Sequence, residues 1–181
     1  MAQLNSLYIR SAIVAAGLFI GSTAVSTPAT AFASPPSCSL RAAYRLQQIE
    51  EIKQLKARYF RLMDTKQWEA WSQVFTEDAT VETSSSGMTV VWQGRDQIVY
   101  ENSTVLAGAI TIHHGHMPEI DITSATTATG VWAMEDTLVF SGVGLHGYGH
   151  YHEEYEKVDG EWKIKRLVLT RLHEKIGPDV L

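Results

Sequence analysis

The chain has 181 residues and a formal net charge of −5, which fits one domain with a short extension and leaves too little length for two full-sized domains. A 45% hydrophobic share, five Trp and only 19% charged residues describe a chain able to bury a core, so disorder is excluded for most of it. The acidic balance excludes the clustered cations that a nucleic-acid surface needs and favours a small, apolar or weakly polar ligand.

In chain order, MAQLNSLYIR carries Arg10 and no acid, SAIVAAGLFIGSTAV is apolar, and Ala31 and Ala33 form an A-x-A site. This predicts a signal peptide over 1–33, a periplasmic or secreted mature protein, and no stable membrane insertion after cleavage. Residues 34–43 read as a linker containing the lone Cys38, which has no partner for an intramolecular disulfide. The remaining domain, 44–181, opens on a helical pattern from Arg41 to Met63. Leu46, Ile49, Ile52, Leu55, Tyr59 and Met63 form its apolar stripe, with Glu50, Lys53 and Lys56 opposite. A second helix is expected near Thr65, where Asp64 and Gln67 make a D-x-x-Q capping box. TEDATVET and GMTVVWQG read as strands around an SSSG turn, and GRDQIVYENSTVLAG as a third helix. Everything after Ile110 has strand character, including a hairpin through SATTAT and another at Asp159-Gly160. Helices first and long strands afterwards predict an α+β fold with the helices on one face of a mostly antiparallel sheet.

Several residues could carry chemistry. In ATGVWAMEDTLVF, Asp136 shares a face with Trp132, Met134, Leu138 and Phe140, where an acid needs a partner or water. It reads as a catalytic acid or as a structural one paired with Arg171, which is in phase with Leu167 and Leu169, and the two readings are compatible because a catalytic acid can also be held by Arg. Tyr59 fits the core, and Asp64 fits a cap. ITIHHGHMPEID sets His114 and His116 on one face and His113 on the other. His114 with His116, or His150 with His152, could hold a metal, and Gly144, His150, His152 and Glu156 match the start of a cupin motif that nothing downstream completes. Alternatively, His113 is a general base with Asp136 behind it, provided the two strands lie side by side.

The runs EEIKQLKARYFRLMDTKQWEAWSQVFTEDATVE, HHGHMPEIDITSATTATGVWAMEDTL and YEKVDGEWKIKRLVLTR resemble the SnoaL-like proteins of the nuclear transport factor 2 superfamily. Within it the likeness is greatest to bile acid dehydratases, and scytalone dehydratases are more distant. The resemblance covers about 49–172 and implies a cone-shaped α+β barrel whose curved sheet and N-terminal helices enclose a pocket, usually in a homo-oligomer such as a dimer or trimer. It puts the family's catalytic residues on Tyr59, Asp64, His113, Asp136 and Arg171, with no cofactor and no metal. The implied activity is a dehydratase acting on a hydroxylated polycyclic or steroid-like ketone. His113 would be the base, oriented by Asp136; Tyr59 would donate to an oxygen, Asp64 would tune Tyr59 or bind a substrate hydroxyl, and Arg171 would balance the buried acid. An isomerase or hydrolase of the same fold, or an exported binding module without turnover, is the alternative.

Overall fold

The structure, a computed structural model, describes residues 37–178, so the signal-peptide reading of 1–33 lies outside the described residues. Helix α1 spans Ser37–Asp64 and therefore begins inside the expected linker. Helix α2 is confined to Trp68–Ser72 rather than starting near Thr65. Lys66 between the helices has φ 59°, a left-handed conformation that interrupts a right-handed helix. The chain continues through β1 (Phe75–Ser85), β2 (Met88–Gln93), α3 (Arg95–Leu106), β3 (Ile110–Ile122), β4 (Thr127–Phe140), β5 (Val143–Val158) and β6 (Glu161–Gly177).

The six strands form one curved sheet in the order β2-β1-β6-β5-β4-β3. Only the β1–β6 pair is parallel, so the mostly antiparallel expectation holds, while the cone is left unclosed with β2 and β3 as its edges. Asp159 and Gly160 both have positive φ at the β5–β6 turn, as the hairpin signal requires. Period-2 alternation gives the sheet an apolar inner face that includes Trp132, Met134, Tyr151, Tyr155, Leu167 and Leu169, all buried. Against it lie Ile52, Leu55, Tyr59 and Met63 of α1. Each fully buried large apolar side chain contributes about 1.5–3 kcal/mol.

Two residues of α1 depart from the predicted stripe. Leu46 is 66% exposed, because the face of α1 turned to the sheet here carries Arg45, paired with Asp121 of β3, and the buried Gln48. Lys56, expected on the solvent side, is completely buried and ion-paired with the equally buried Glu153 of β5. Among the described residues no helix is long and apolar enough to cross a membrane.

Candidate active site

His113 lies on β3, an edge strand, directly opposite Asp136 of β4. The backbone N–H of an edge residue that points away from the sheet needs a partner elsewhere. That partner is Asp64 at the C-terminal end of α1, whose Oδ2 accepts the His113 N–H at 2.9 Å. The other carboxylate oxygen, Oδ1, is 2.6 Å from His113 Nδ1. Asp64 thus holds both the strand and the imidazole, and leaves Nε2 as the second ring nitrogen for chemistry. Burial raises the Asp64 pKa, but hydrogen bonds from the His113 side chain and backbone, its charge and a bond from Thr111 outweigh this and hold it below the ordinary carboxylate value.

Two readings are corrected by this geometry. Asp64 makes no cap for α2, whose N-cap residue is Gln67 without a side-chain capping bond, because both Asp64 oxygens serve His113. Asp136 does not orient His113, although register places them side by side. Its Oδ1 accepts from Arg171 Nη1 at 2.6 Å and its Oδ2 from Nη2 at 2.8 Å. The guanidinium fork matches both carboxylate oxygens at once, an arrangement stronger than a single bond to imidazole. The expected pairing of Asp136 with Arg171 is thus present in the structure. The expectation that Asp64 tunes Tyr59 is compatible with its bonds to His113, since its charge is one of those that raise the Tyr59 pKa.

The Asp136–Arg171 pair fits because Gly147 lies beneath it. Asp136 and Gly147 are register partners, and a Cβ on Gly147 would stand 2.1 Å from Arg171 Nη1 and 2.6 Å from Asp136 Oδ1. An Ala there has to displace a buried ion pair.

Tyr59, His113, Asp136 and Arg171 line one cavity of about 300 Å³. Four of the five sequence candidates thus share it, and Asp64 stands behind His113. Leu138, Phe140, Leu167 and Leu169 make its sheet wall largely apolar, and α3 supplies the opposite wall through Glu101, Asn102, Val105 and Leu106. Trp92, unplaced from sequence, lines the cavity, whereas Tyr148 is on the outer face and Tyr100 is exposed. Tyr59 is pushed well above the usual phenol range, by burial first and then by the negative charges of Glu153, Asp64 and Asp136. It therefore stays protonated at neutral pH and can donate, which rules it out as a base there.

Sequence reading missed Tyr151 and Glu101. Tyr151 faces the cavity with its ring 6.3 Å from that of Tyr59, and its pKa is also driven up by burial. The signal for it was present: Tyr151 alternates with His150 and His152, so if those face outward it faces inward. Glu101 had no comparable signal, since its place depends on how α3 packs. The cupin-like set does not converge, because Glu156 is four residues along the same strand from His152, about 13 Å at the usual strand rise. A larger groove of about 830 Å³ runs between α1 and the β5–β6 turn but contains none of the five candidates.

A family model described as a SnoaL-like domain matches residues 44–168. The chain belongs to the SnoaL-like family. The protein FGR4 of Gibberella zeae, to which a cyclase activity is ascribed, is 25% identical over 69% of this chain and 91% of its own length. A crystal structure from Novosphingobium aromaticivorans, of a protein proposed to be a scytalone dehydratase, matches with TM-score 0.66 and 24% identity over 72% of this chain and 87% of that one. The hexachlorocyclohexane dehydrochlorinase of Novosphingobium barchaimii matches with TM-score 0.63 and 21% identity over 75% and 94%. At these identities the two structures establish that this SnoaL-like domain has the nuclear transport factor 2-like fold.

Proposed function

We propose that this SnoaL-like domain is a cofactor-independent lyase that eliminates water from a hydroxylated, carbonyl-bearing ring compound. The observation that carries the reading is the His113–Asp64 dyad opening on a cavity whose sheet wall is largely apolar, with Tyr59 in the same lining. His113 Nε2 takes a proton made acidic by the substrate carbonyl, and the electrons of the broken C–H bond form the new C=C bond as the C–O bond breaks. The hydroxyl leaves as water on gaining a proton, either the one His113 has taken or one from Tyr59 that the imidazolium then replaces. Asp64 fixes the imidazole tautomer and stabilises the imidazolium. Tyr59 donates its O–H to the developing enolate or to the leaving oxygen. Asp136, paired with Arg171, shapes the wall, and Glu174 lies 3.2 Å from the same guanidinium.

A volume of about 300 Å³ is at the lower end of ligand pockets. This favours a compact substrate of a few fused rings, with a steroid as the upper limit of size. The dehydrochlorinase name of one structural relative supports elimination as a chemistry this fold performs.

Hydroxylated ring ketones, from bicyclic compounds to 7α-hydroxy-3-oxo-4-ene steroids, are expected to yield products lighter by one water, with absorbance shifted to the red. The variant H113A should lose about 10²–10⁴-fold in turnover while still binding ligand. A product of unchanged mass identifies an isomerase or cyclase, and binding without conversion in the wild type identifies the binding module. Export belongs to the same proposal and rests on residues 1–33: N-terminal sequencing of the protein recovered from the periplasm or medium should start at Ser34, and an intact Met1 would overturn it.

A further inference from the structure

Six of the seven histidines lie on the outer face of the sheet, away from the cavity: His114 and His116 on β3, His146, His150 and His152 on β5, and His173 on β6. Four outward side chains at one end of the β3–β4–β5 surface are arranged differently from the rest. His114 and His116 are two residues apart on one strand, so their imidazoles stand side by side, with ring centroids 5.8 Å apart. Glu135 of β4 is the direct register partner of His114. Ligand atoms of these three residues all lie within 4.8 Å of one another, and His116 Nε2 is 3.9 Å from Glu135 Oε2. His146 Nε2 holds the other carboxylate oxygen, Oε1, at 2.8 Å.

We propose that His114, His116 and Glu135 bind a divalent transition-metal ion of the zinc type, with His146 orienting Glu135. Two imidazoles and one carboxylate form a donor set that zinc accepts, with water able to fill the fourth position. Ligands about 2.0–2.1 Å from a tetrahedral ion stand roughly 3.4 Å apart, so side-chain torsions of exposed residues can close the present gaps without moving the backbone. His146 acts as the outer partner that fixes a ligating carboxylate. The neighbouring pair His150 and His152 has no carboxylate between its rings, which stand 6.2 Å apart, and it serves as an internal control.

The position suggests what such an ion does. His114 and Glu135 are the chain neighbours of His113 and Asp136, so the ion would join β3 to β4 directly behind the cavity, on the other side of the sheet. It is a clamp on an edge strand, remote from the reacting atoms. This assignment is independent of the proposed elimination chemistry.

The test is equilibrium dialysis of untagged full-length protein against Zn²⁺, with thermal unfolding as a second readout. One ion per chain and a zinc-dependent rise in Tm are expected. H114A/H116A should abolish both, H146A should weaken binding about 10–100-fold, and H150A/H152A should leave both unchanged. Failure of the wild type to bind, or loss of binding in H150A/H152A with retention in H114A/H116A, would overturn the assignment. All the altered side chains are exposed or half-exposed, and circular dichroism of each variant verifies the fold.

Discussion

Replacing Lys56 by Met is expected to lower the unfolding free energy by about 3–5 kcal/mol, the usual cost of leaving one member of a buried ion pair without its partner. Both side chains of the Lys56–Glu153 pair are 0% exposed, so solvent cannot compensate the stranded carboxylate. Burial lowers the Lys56 pKa more than the attraction of Glu153 raises it, so the pair is held at a desolvation cost. What offsets that cost is the surrounding network. Tyr155 donates its hydroxyl to Glu153 and accepts from Trp132 Nε1 at 2.8 Å, while the ammonium is 4.0 Å from the Tyr59 ring centroid and 3.8 Å from that of Tyr151. The double variant K56M/E153Q removes both charges and keeps an acceptor for Tyr155, so it should recover most of the lost stability. Denaturant unfolding at neutral pH measures both. Equal destabilisation of the single and double variants would show that the pair contributes through packing rather than charge. Since Lys56 contacts the ring of Tyr59, the network also fixes one wall of the cavity.

The second large effect separates the two aspartates. D64N should reduce turnover about 10²–10⁴-fold with ligand affinity little changed, because the imidazolium formed during proton removal loses its countercharge. D136N should keep turnover within about tenfold but lose stability, because Arg171 loses its bidentate partner in a mostly buried site and keeps only Glu174 at 3.2 Å. The opposite pattern would make Asp136 the functional partner of His113. Acid unfolding provides a further check on Asp64. Its folded pKa is depressed, so its contribution is fully present above the ordinary value of 3.8 and is lost as pH falls through the lower folded value. D64N should therefore lose less stability than wild type over that acidic interval.

Element order, both hairpins and the inward face of β4 were legible in the sequence because period-2 alternation and, at Asp159-Gly160, paired positive-φ turn residues are local signals. Four of the five candidates share the cavity and the Asp136–Arg171 pair was legible, but the carboxylate that bonds His113 was not. Strand register does put His113 beside Asp136, but which carboxylate bonds the imidazole depends on two distant competitors. Arg171 arrives from β6 and occupies Asp136, and the end of α1 brings Asp64 to the unpaired edge of β3. Neither event leaves a mark in the spacing of ITIHHGHMPEID. Lys56 was misplaced for a similar reason: a helical wheel assigns charges to solvent and has no means of showing a buried acid waiting on β5.

The cavity has two walls of different character. The sheet and α1 carry every ionisable group of the proposed chemistry, and Gly147 leaves that side no spare volume for a new side chain. Facing them, α3 contributes Asn102, Val105 and Leu106, none of which holds a member of the dyad or of the Asp136–Arg171 pair. Substrate preference can therefore drift through replacements on one short helix while the proton-transfer apparatus is inherited intact. An evolutionary lineage, or a directed library confined to those three positions, could change what the protein acts on without having to reinvent how it acts.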